Sequence, residues 1–177
     1  MSGCNLAKRE SWERSVFTRS GDCCVFISHK KEDEDVAIDI GSYLTDIVGV
    51  NIYLDTQDCI LKEAVSAEND QKIVDTIQKG LDCSTHLLCL ISDQTKLSWW
   101  VPYEIGFADK KKIDVAVLKL KELQEIPSYI KIKKTLLNTD DFLRYVSRFG
   151  PYGSVFEDKN YEKFSSFDNS ILLKYID

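Results

Sequence analysis

Residues 83–120 read CSTHLLCLISDQTKLSWWVPYEIGFADKKKIDVAVLKL, and this stretch decides the fold. Two continuous apolar runs, HLLCLIS at 86–92 and DVAVLKL at 114–120, are typical of strands that are buried on both faces. Residues 99–110 between them predict a helix, and Pro102 falls in its first turn, where a missing N–H costs little. A buried strand, a helix and a second buried strand in this order predict two parallel strands joined by a crossover helix.

The same alternation extends toward both ends of the chain. CCVFIS at 23–28, VNIYLD at 50–55 and KTLLN at 134–138 predict three further strands. Helical spacing of apolar residues predicts helices after the first strand, with Gly49 as the stop, and over KIVDTIQKGL. TDDFLRYVSRFGP predicts another helix, which Thr139 can cap. Residues 56–70 are interpreted as a polar connecting segment.

These elements predict an α/β fold, a flavodoxin-like parallel five-stranded sheet flanked by helices on both faces. Residues 21–150 form the predicted domain. Residues 1–20 are an N-terminal extension, and residues 151–177 are a C-terminal extension packed on the domain. The sequence shows no internal repeat, low-complexity tract or linker.

Composition and charge exclude several classes of protein. The 177 residues carry a net charge of −6, which argues against nonspecific nucleic-acid binding. Six cysteines form no C-x-x-C pair, and with only two histidines this argues against a structural zinc site. The N-terminus lacks the apolar region of a secretory signal, and no apolar run reaches membrane-spanning length. We therefore expect a reduced, cytoplasmic protein without a metal and without membrane contact.

Polar residues gather where the predicted strands end. The first strand ends in Ser28-His29, the second in Asp55, and the third in Ser92-Asp93. Because ligands of parallel α/β sheets bind outside the carboxyl ends of the strands, this edge is the predicted site. The alternative is that the residues are polar because the chain turns there into solvent. No phosphate-binding glycine loop or nucleophile elbow is present, and acidic residues typical of a phospho-aspartate switch do not follow strand one.

Glu104 lies in the predicted helix 99–110 without a basic neighbour. Helical spacing puts Trp100, Val101, Phe107 and Ala108 beside it, so no lysine or arginine can pair with its carboxylate. One interpretation is a surface glutamate with tolerated apolar neighbours. The other is a carboxylate at the lip of an apolar pocket, where its proton affinity rises and it becomes chemically useful.

The motifs together resemble those of the TIR (Toll/interleukin-1 receptor) domain family. CVFISHKKEDEDVA is similar to the opening strand and loop of these domains, and GVNIYLDTQD to their second strand and the BB loop that follows it. CSTHLLCLIS and KIDVAVLKL resemble the third and fourth strands. Trp100-Val101-Pro102-Tyr103-Glu104 matches the W-x-x-x-E element of the family. The resemblance covers roughly residues 21–150.

The resemblance implies an activity for the chain. In the enzymatic branch of the family, the W-x-x-x-E glutamate cleaves NAD+ at the nicotinamide–ribose bond, which assigns the catalytic role to Glu104. Some members release linear ADP-ribose, whereas others form cyclic isomers, and both outcomes stay open here. Bacterial members act in Thoeris-like antiviral defence, so we expect a latent enzyme that needs a trigger. Its expected partners are NAD+ as substrate rather than cofactor, other copies bound through TIR surfaces, and an effector that senses the product.

The candidate substrate-binding residues are Phe26, Ser28, His29, Asp55, Trp99 and Trp100. The aromatic ones could stack on nicotinamide or adenine, or belong to the core. Ser28 and His29 would line the pocket, although His29 could be a plain loop residue. Asp55 would bind ribose or merely cap the second strand.

Two other functions remain open from the sequence. Many TIR domains are non-enzymatic scaffolds that associate through the BB loop, and Glu104 would then be structural. A nucleoside deoxyribosyltransferase-like enzyme would instead use Glu104 as a nucleophile. Residues 56–70 contain no glycine or proline, unlike many BB loops, so the geometry of this loop is not implied by the resemblance.

Overall fold

The computed structural model of the chain describes residues 3–8, 22–121, 123–150, 153 and 155–177, without the side chains of Gln57 and Lys96. Five strands form one parallel sheet in the order β2-β1-β3-β4-β5. The strands are β1 Cys24–Ser28, β2 Asn51–Tyr53, β3 His86–Ile91, β4 Asp114–Lys119 and β5 Lys134–Leu136. Each lies within a run predicted as a strand, so the parallel five-stranded α/β fold is confirmed.

Helices connect and cover the strands. Within the described residues they are α1 Glu34–Tyr43, α2 Cys59–Ser66, α3 Asp70–Asp82, α4 Trp100–Lys111, α5 Ser128–Lys131, α6 Thr139–Val146, α7 Glu157–Ser165 and α8 Leu172–Tyr175. A π turn, Leu44–Val48, extends α1 and ends at Gly49, whose φ of 82° is a left-handed conformation that glycine adopts without strain. None of the helices described is long and apolar enough to cross a membrane.

Alternate residues of each strand face two separate cores. Val25 and Ile27 of β1 belong to the core that α1, α6 and the C-terminal helices cover. Cys24 and Phe26 belong to the core on the opposite face, which α3, α4 and α5 cover. This two-sided burial explains why the strands read as continuous apolar runs rather than as alternating patterns.

Two local predictions were wrong. Residues 56–70 were interpreted as a connecting segment, but they contain α2, whose N-cap Asp58 accepts hydrogen bonds from the backbone N–H of Ile60 and Leu61. Ile60, Leu61, Ala64 and Val65 recur at helical spacing, but the helix buries only Ala64. The cap of α6 is Asn138 rather than Thr139, because the Asn138 side chain accepts from the N–H of Asp141.

The described residues outside 21–150 pack on the domain. At the N-terminal end, the carbonyl of Cys4 accepts a hydrogen bond from Ile52 N–H at 2.9 Å, and Leu6 and Ala7 are buried. The N-terminal segment thus lies beside β2, on the outer edge of the sheet. From residue 9 onward, the predicted N-terminal extension lies outside the described residues.

The C-terminal helices are attached by both polar and apolar contacts. Tyr43 of α1 donates a hydrogen bond to the Asn169 side chain at 2.7 Å, and Tyr175 donates to Asp39 at 2.8 Å. Phe164 and Leu172 are buried in the core beneath α1 and α6. Residues 155–177 therefore complete this core rather than trail from it.

Gly80 of α3 provides a test of how tightly the core under α3, α4 and α5 is packed. A Cβ at Gly80 would lie 2.5 Å from Cε1 of Tyr53. The Tyr53 ring cannot easily move away, because it stacks on Phe26 at 5.5 Å and donates a hydrogen bond to Asp58. We predict that Gly80→Ala lowers the free energy of unfolding by about 1–3 kcal/mol through overpacking.

Urea denaturation measures this effect, and Gly106→Ala is the matched control. Gly106 also lies within a helix, but nothing lies within 4 Å of the Cβ that alanine would add. That variant should be unchanged or up to about 1 kcal/mol more stable, since alanine is the better helix former. Equal stabilities of the two variants would contradict the proposed contact.

Candidate functional site

Glu104 lies on the buried side of α4. The helix buries Val101, Glu104, Ile105 and Ala108, which recur at helical spacing, against the sheet. Glu104 is only 3% exposed although it carries a carboxyl group. The interpretation of Glu104 as a solvated surface residue is therefore wrong, and the absence of a basic neighbour reflects a residue that faces inward.

The Glu104 carboxyl group is hydrogen-bonded to the end of β1. Ser28, the last residue of β1, donates its hydroxyl proton to Glu104 Oε2 at 2.6 Å and is itself 1% exposed. In the sheet Ser28 is aligned with Cys89 of β3, so this acid lies over the junction of the two central strands. Short contacts between a hydroxyl and a carboxyl oxygen are strong hydrogen bonds.

His29 and Asp55 lie beside this pair. Nδ1 of His29 is 4.0 Å from Oδ1 of Asp55, with 2% of the His29 side chain and 19% of the Asp55 side chain exposed. The same Nδ1 lies 3.2 Å from the carbonyl oxygen of Ile27. The carboxyl edges of β1 and β2 thus bring an imidazole and a second carboxylate close to Glu104.

Burial raises the pKa of both carboxyl groups. Burial raises the pKa of Glu104 well above its usual range, the Asp55 charge raises it further, and the Ser28 hydrogen bond opposes the rise. Burial also raises the pKa of Asp55, against the opposing charge of His29. Both carboxyl groups are therefore easier to protonate than ordinary acidic side chains, and Asp55 is the more exposed of the two.

Three buried polar atoms at this edge have no hydrogen-bond partner within the described part of the chain. They are Nε2 of His29, Oδ1 of Asp55 and Oγ1 of Thr56. Each such atom costs about 1–3 kcal/mol when left unpaired, so a cluster of three is a place where bound water or a polar ligand would find hydrogen-bond partners. Thr56 was missed by the sequence analysis, and its position directly after Asp55 at the strand end was the signal available.

The predicted aromatic contacts are distributed differently. Phe26 is fully buried and stacks on Tyr53, so its ring offers no face to a substrate, which corrects the expectation that it could stack on nicotinamide or adenine. Trp99 is 91% exposed and Trp100 39% exposed at the start of α4. The polar candidates therefore converge, whereas the aromatic candidates divide between the core and the surface.

Tyr53 and Asp58 hold the chain that follows β2. The Tyr53 hydroxyl donates to Asp58 Oδ2 at 2.5 Å, and the other carboxylate oxygen of Asp58 caps α2. Asp58 is fully buried, and its hydrogen bonds to Tyr53 and to the backbone compensate for its lost hydration. Asp55 and Thr56 are therefore held between β2 and a capped helix.

Among the residues that the structure describes, no three His, Cys, Asp or Glu side chains are arranged to hold a metal ion. A groove of about 200 Å³ lies elsewhere, between the N-terminal segment, α1 and β2. Its lining includes none of the predicted site residues.

One family model matches the chain, and its description is "TIR domain". The match covers residues 25–146, which include all but one residue of β1, the other four strands and α6. It also includes Ser28, Asp55 and Glu104. A search of curated proteins found no match.

The shifted pKa of Glu104 makes stability depend on pH. Since folding raises this pKa, the folded protein keeps a proton that the unfolded chain releases above about pH 4.3. The stability associated with the neutral acid is complete below that value and is lost as pH rises through the folded pKa. Glu104→Gln should lose this dependence. As pH rises, the free energy of unfolding of the variant should therefore increase relative to that of the wild type by up to about 1.4 kcal/mol per pH unit.

Urea denaturation between pH 5 and 8 measures the difference. Glu125→Gln is the control, because Glu125 is an exposed glutamate whose neutralisation should leave the pH dependence unchanged. If the free energies of unfolding of the wild type and of Glu104→Gln change in parallel with pH, ionisation of Glu104 does not destabilise the folded protein, which would contradict the prediction.

Proposed function

The chain belongs to the TIR domain family, and from that premise we propose that it is an enzyme that cleaves NAD+ with Glu104 as its catalytic residue. It would act as an NAD+ glycohydrolase or ADP-ribosyl cyclase. In a Thoeris-like antiviral role, its nucleotide product would be a signal for a downstream effector. The observation that carries the proposal is a buried acid, hydrogen-bonded to Ser28, beside three unpaired polar atoms at the carboxyl edge of the sheet.

A single carboxylate is sufficient for this chemistry. The nicotinamide of NAD+ is a cationic pyridinium, so the C1′–N bond breaks with its electron pair going to nitrogen and a neutral nicotinamide leaves. No general acid is needed, in contrast to ordinary glycosidases, which must protonate an alkoxide. What remains is to stabilise the oxocarbenium-like ribose, and an ionised Glu104 next to C1′ supplies the opposite charge.

The attacking nucleophile decides the product. Water that adds to C1′ and loses a proton gives linear ADP-ribose, whereas attack by adenine gives a cyclic isomer. Exclusion of water favours cyclisation because adenine then competes better, and the burial of Glu104 supports a site of that kind.

The raised pKa of Glu104 suits a cationic substrate. In the free protein, burial and Asp55 favour the neutral acid. A pyridinium ribose brought next to Glu104 favours the carboxylate, because an opposite charge within a few ångströms stabilises the charged form. The acid would therefore ionise as the substrate binds, when its charge is needed.

The unpaired atoms fit the polar part of the substrate. Asp55 Oδ1 can accept a hydrogen bond from a ribose hydroxyl, and Thr56 Oγ1 can donate or accept one. Because Nδ1 of His29 faces the Ile27 carbonyl and carries the proton, Nε2 of the neutral ring can accept one as well. Trp100, which is partly exposed at the start of α4, supplies an aromatic face for a base. Trp99 and Leu97 are still more exposed and suit contact with another copy.

The closed site supports a latent enzyme. Glu104 is 3% exposed and Ser28 is 1% exposed, so a substrate reaches them only after the surrounding segments move. An assembly or trigger that opens this edge would supply the required change. Latency of this kind would keep the cellular NAD+ pool intact before infection.

The second candidate function is a non-enzymatic interaction module. The exposure of Leu97 and Trp99, at 69% and 91%, favours this alternative, since such residues mark contact surfaces. In that case Glu104 would be a structural residue and NAD+ would not bind. An unfolding temperature that rises with NAD+ concentration would favour the enzyme, because only an NAD+ site is stabilised by this ligand, and the measurement is repeated at high protein concentration so that an assembled form is included.

We predict that Glu104→Gln lowers nicotinamide release from NAD+ by at least about a hundredfold, since the amide cannot offset the ribosyl cation. The measurement is chromatography of nicotinamide and ADP-ribose products over a range of protein concentrations, so that assembly is included. Glu125→Gln should keep wild-type turnover. Equal turnover by Glu104→Gln and the wild type would remove Glu104 from catalysis.

The acid pair also predicts a pH profile. The value of kcat/KM for NAD+ should rise with pH through the pKa of Glu104 in the free enzyme, above the ordinary glutamate range. Asp55→Asn removes the nearby charge that raises this pKa, so the midpoint of the rise should move to lower pH. An unchanged midpoint, with any loss confined to KM, would mean that Asp55 contacts the substrate without tuning Glu104.

A further inference from the structure

A second group of reactive side chains lies at the opposite, amino edge of the sheet. Cys23 precedes β1, His86 begins β3, and Asp114 begins β4. Sγ of Cys23 is 3.6 Å from Nδ1 of His86, and Nε2 of His86 is 3.9 Å from Oδ2 of Asp114. A thiol, an imidazole and a carboxylate thus stand in line, with one ring nitrogen directed to each neighbour.

The His86 ring is held in this orientation by its surroundings. Its centroid lies 4.5 Å from that of Phe149 and 6.3 Å from that of Tyr145 in an edge contact. The sheet register aligns His86 with Asp114. The carboxylate next to Nε2 favours the tautomer that carries its proton there, which leaves Nδ1 as the acceptor facing Cys23.

Two further groups can hydrogen-bond the sulfur as a thiolate forms. The Thr85 hydroxyl lies 2.8 Å from Nδ1 of His86 and 3.8 Å from Sγ, so its single proton can turn to the sulfur once Nδ1 has taken the thiol proton. The backbone of Gly150 also hydrogen-bonds the thiol. Donors of this kind stabilise a thiolate as it forms. A nucleophile, a base within reach and a third group that orients the base constitute the signature of an activated nucleophile.

We propose that Cys23, with His86 as its general base and Asp114 as the group that orients the imidazole, is a modification site that forms mixed disulfides with small-molecule disulfides. His86 Nδ1 accepts the thiol proton while Cys23 sulfur attacks one sulfur of the disulfide. The S–S bond of the reagent breaks, a new bond to Cys23 forms, and the leaving thiolate takes the proton from His86. Cys23 is oxidised, and the departing sulfur is reduced to a thiol.

The surroundings favour a sulfur electrophile. Attack on a disulfide needs only a thiolate, access and a leaving group, whereas an acyl substrate would also need donors for a tetrahedral oxyanion. Cys23 is partly buried and the next thiol, Cys24, points into the opposite core. All six cysteines are free, so Cys23 is not in a disulfide within the described part of the chain.

Burial makes the resting pair neutral. It raises the pKa of Cys23, against the hydrogen bonds from Thr85 and Gly150, and it lowers the pKa of His86, against the Asp114 charge. A neutral imidazole is able to accept a proton throughout the neutral range. Among the described residues, the other titratable groups near this pair are Cys24, Tyr145, whose pKa burial raises, and Lys134, which lies 4.7 Å above the Tyr145 ring.

This arrangement gives the reaction a distinctive pH dependence. The rate at Cys23 should be flat, within about twofold between pH 7 and 8.5, because the base is neutral and the thiol is protonated throughout. An unassisted thiol gains about tenfold in rate per pH unit below its pKa, since only the thiolate reacts. Cys59 is the control within the same molecule: it is exposed, and among the described residues no imidazole contacts it.

The experiment treats the full chain with 2-hydroxyethyl disulfide and follows the adduct at each cysteine by peptide mass spectrometry. Wild type should show the flat profile at Cys23 and the rising profile at Cys59. His86→Asn should lower the Cys23 rate at least about tenfold at pH 7 and make it rise with pH, with Cys59 unchanged. Cys23→Ser should remove this adduct alone.

Two results would overturn the proposal. One is a Cys23 rate in the wild type that rises with pH as steeply as that of Cys59, and the other is no Cys23 adduct in folded protein in which Cys59 reacts. The wild-type profile decides by itself if His86→Asn fails to fold, and circular dichroism reports whether it has folded.

Discussion

The burial of Glu104, an ionisable residue on the inner face of α4, is the constraint on which the rest of the site depends. A carboxyl group removed from water must keep its proton or find compensation, and Glu104 has one short hydrogen bond, from Ser28. Its other close electrostatic neighbour is Asp55, which raises the cost of ionisation. A fold selected for stability alone would place an apolar residue there, as it does at Val101 and Ala108 on the same helix face. The acid is therefore better explained by chemistry than by packing.

Tyr53 connects this constraint to the core. Its ring stacks on Phe26 and fills the space that the missing side chain of Gly80 leaves, and its hydroxyl reaches the buried carboxylate of Asp58. The same carboxylate caps α2, so one tyrosine determines where the chain goes after β2. Asp55 and Thr56 lie between these two anchored points. The core thus helps to hold their polar side chains in position at the end of β2.

The sequence predicted the elements whose apolar residues are buried, and it failed where the apolar pattern is short and mixed with charges. The strand runs and the stripe of α3 carry their own burial pattern, so their positions followed from residue spacing. In α2 the cap residue Asp58 and the spacing of Ile60, Leu61, Ala64 and Val65 were signals of a helix, but the polar residues around them led to an interpretation as a connecting segment. At the site, the rule for strand ends brought Ser28, His29 and Asp55 to Glu104. The same rule could not tell which aromatic candidates are core residues. Aromatic residues occur both in cores and at pockets, and only the structure shows that Phe26 is buried against Tyr53 whereas Trp100 is partly exposed.

Strand β1 places a reactive group at each of its ends, Ser28 at the carboxyl end and Cys23 just before the amino end. Its register in the sheet therefore fixes the positions of both groups. Ser28 shares a face with Cys24 and Phe26 and meets Glu104, whereas Cys23 lies on the opposite face, at the other end, beside His86. A slip of one residue would exchange the two faces, since side chains alternate along a strand. It would remove the hydroxyl from Glu104 and turn the Cys23 thiol away from the imidazole in a single step. The buried pairing of β1 with β3 therefore holds the acid at one end and the thiol at the other in place together.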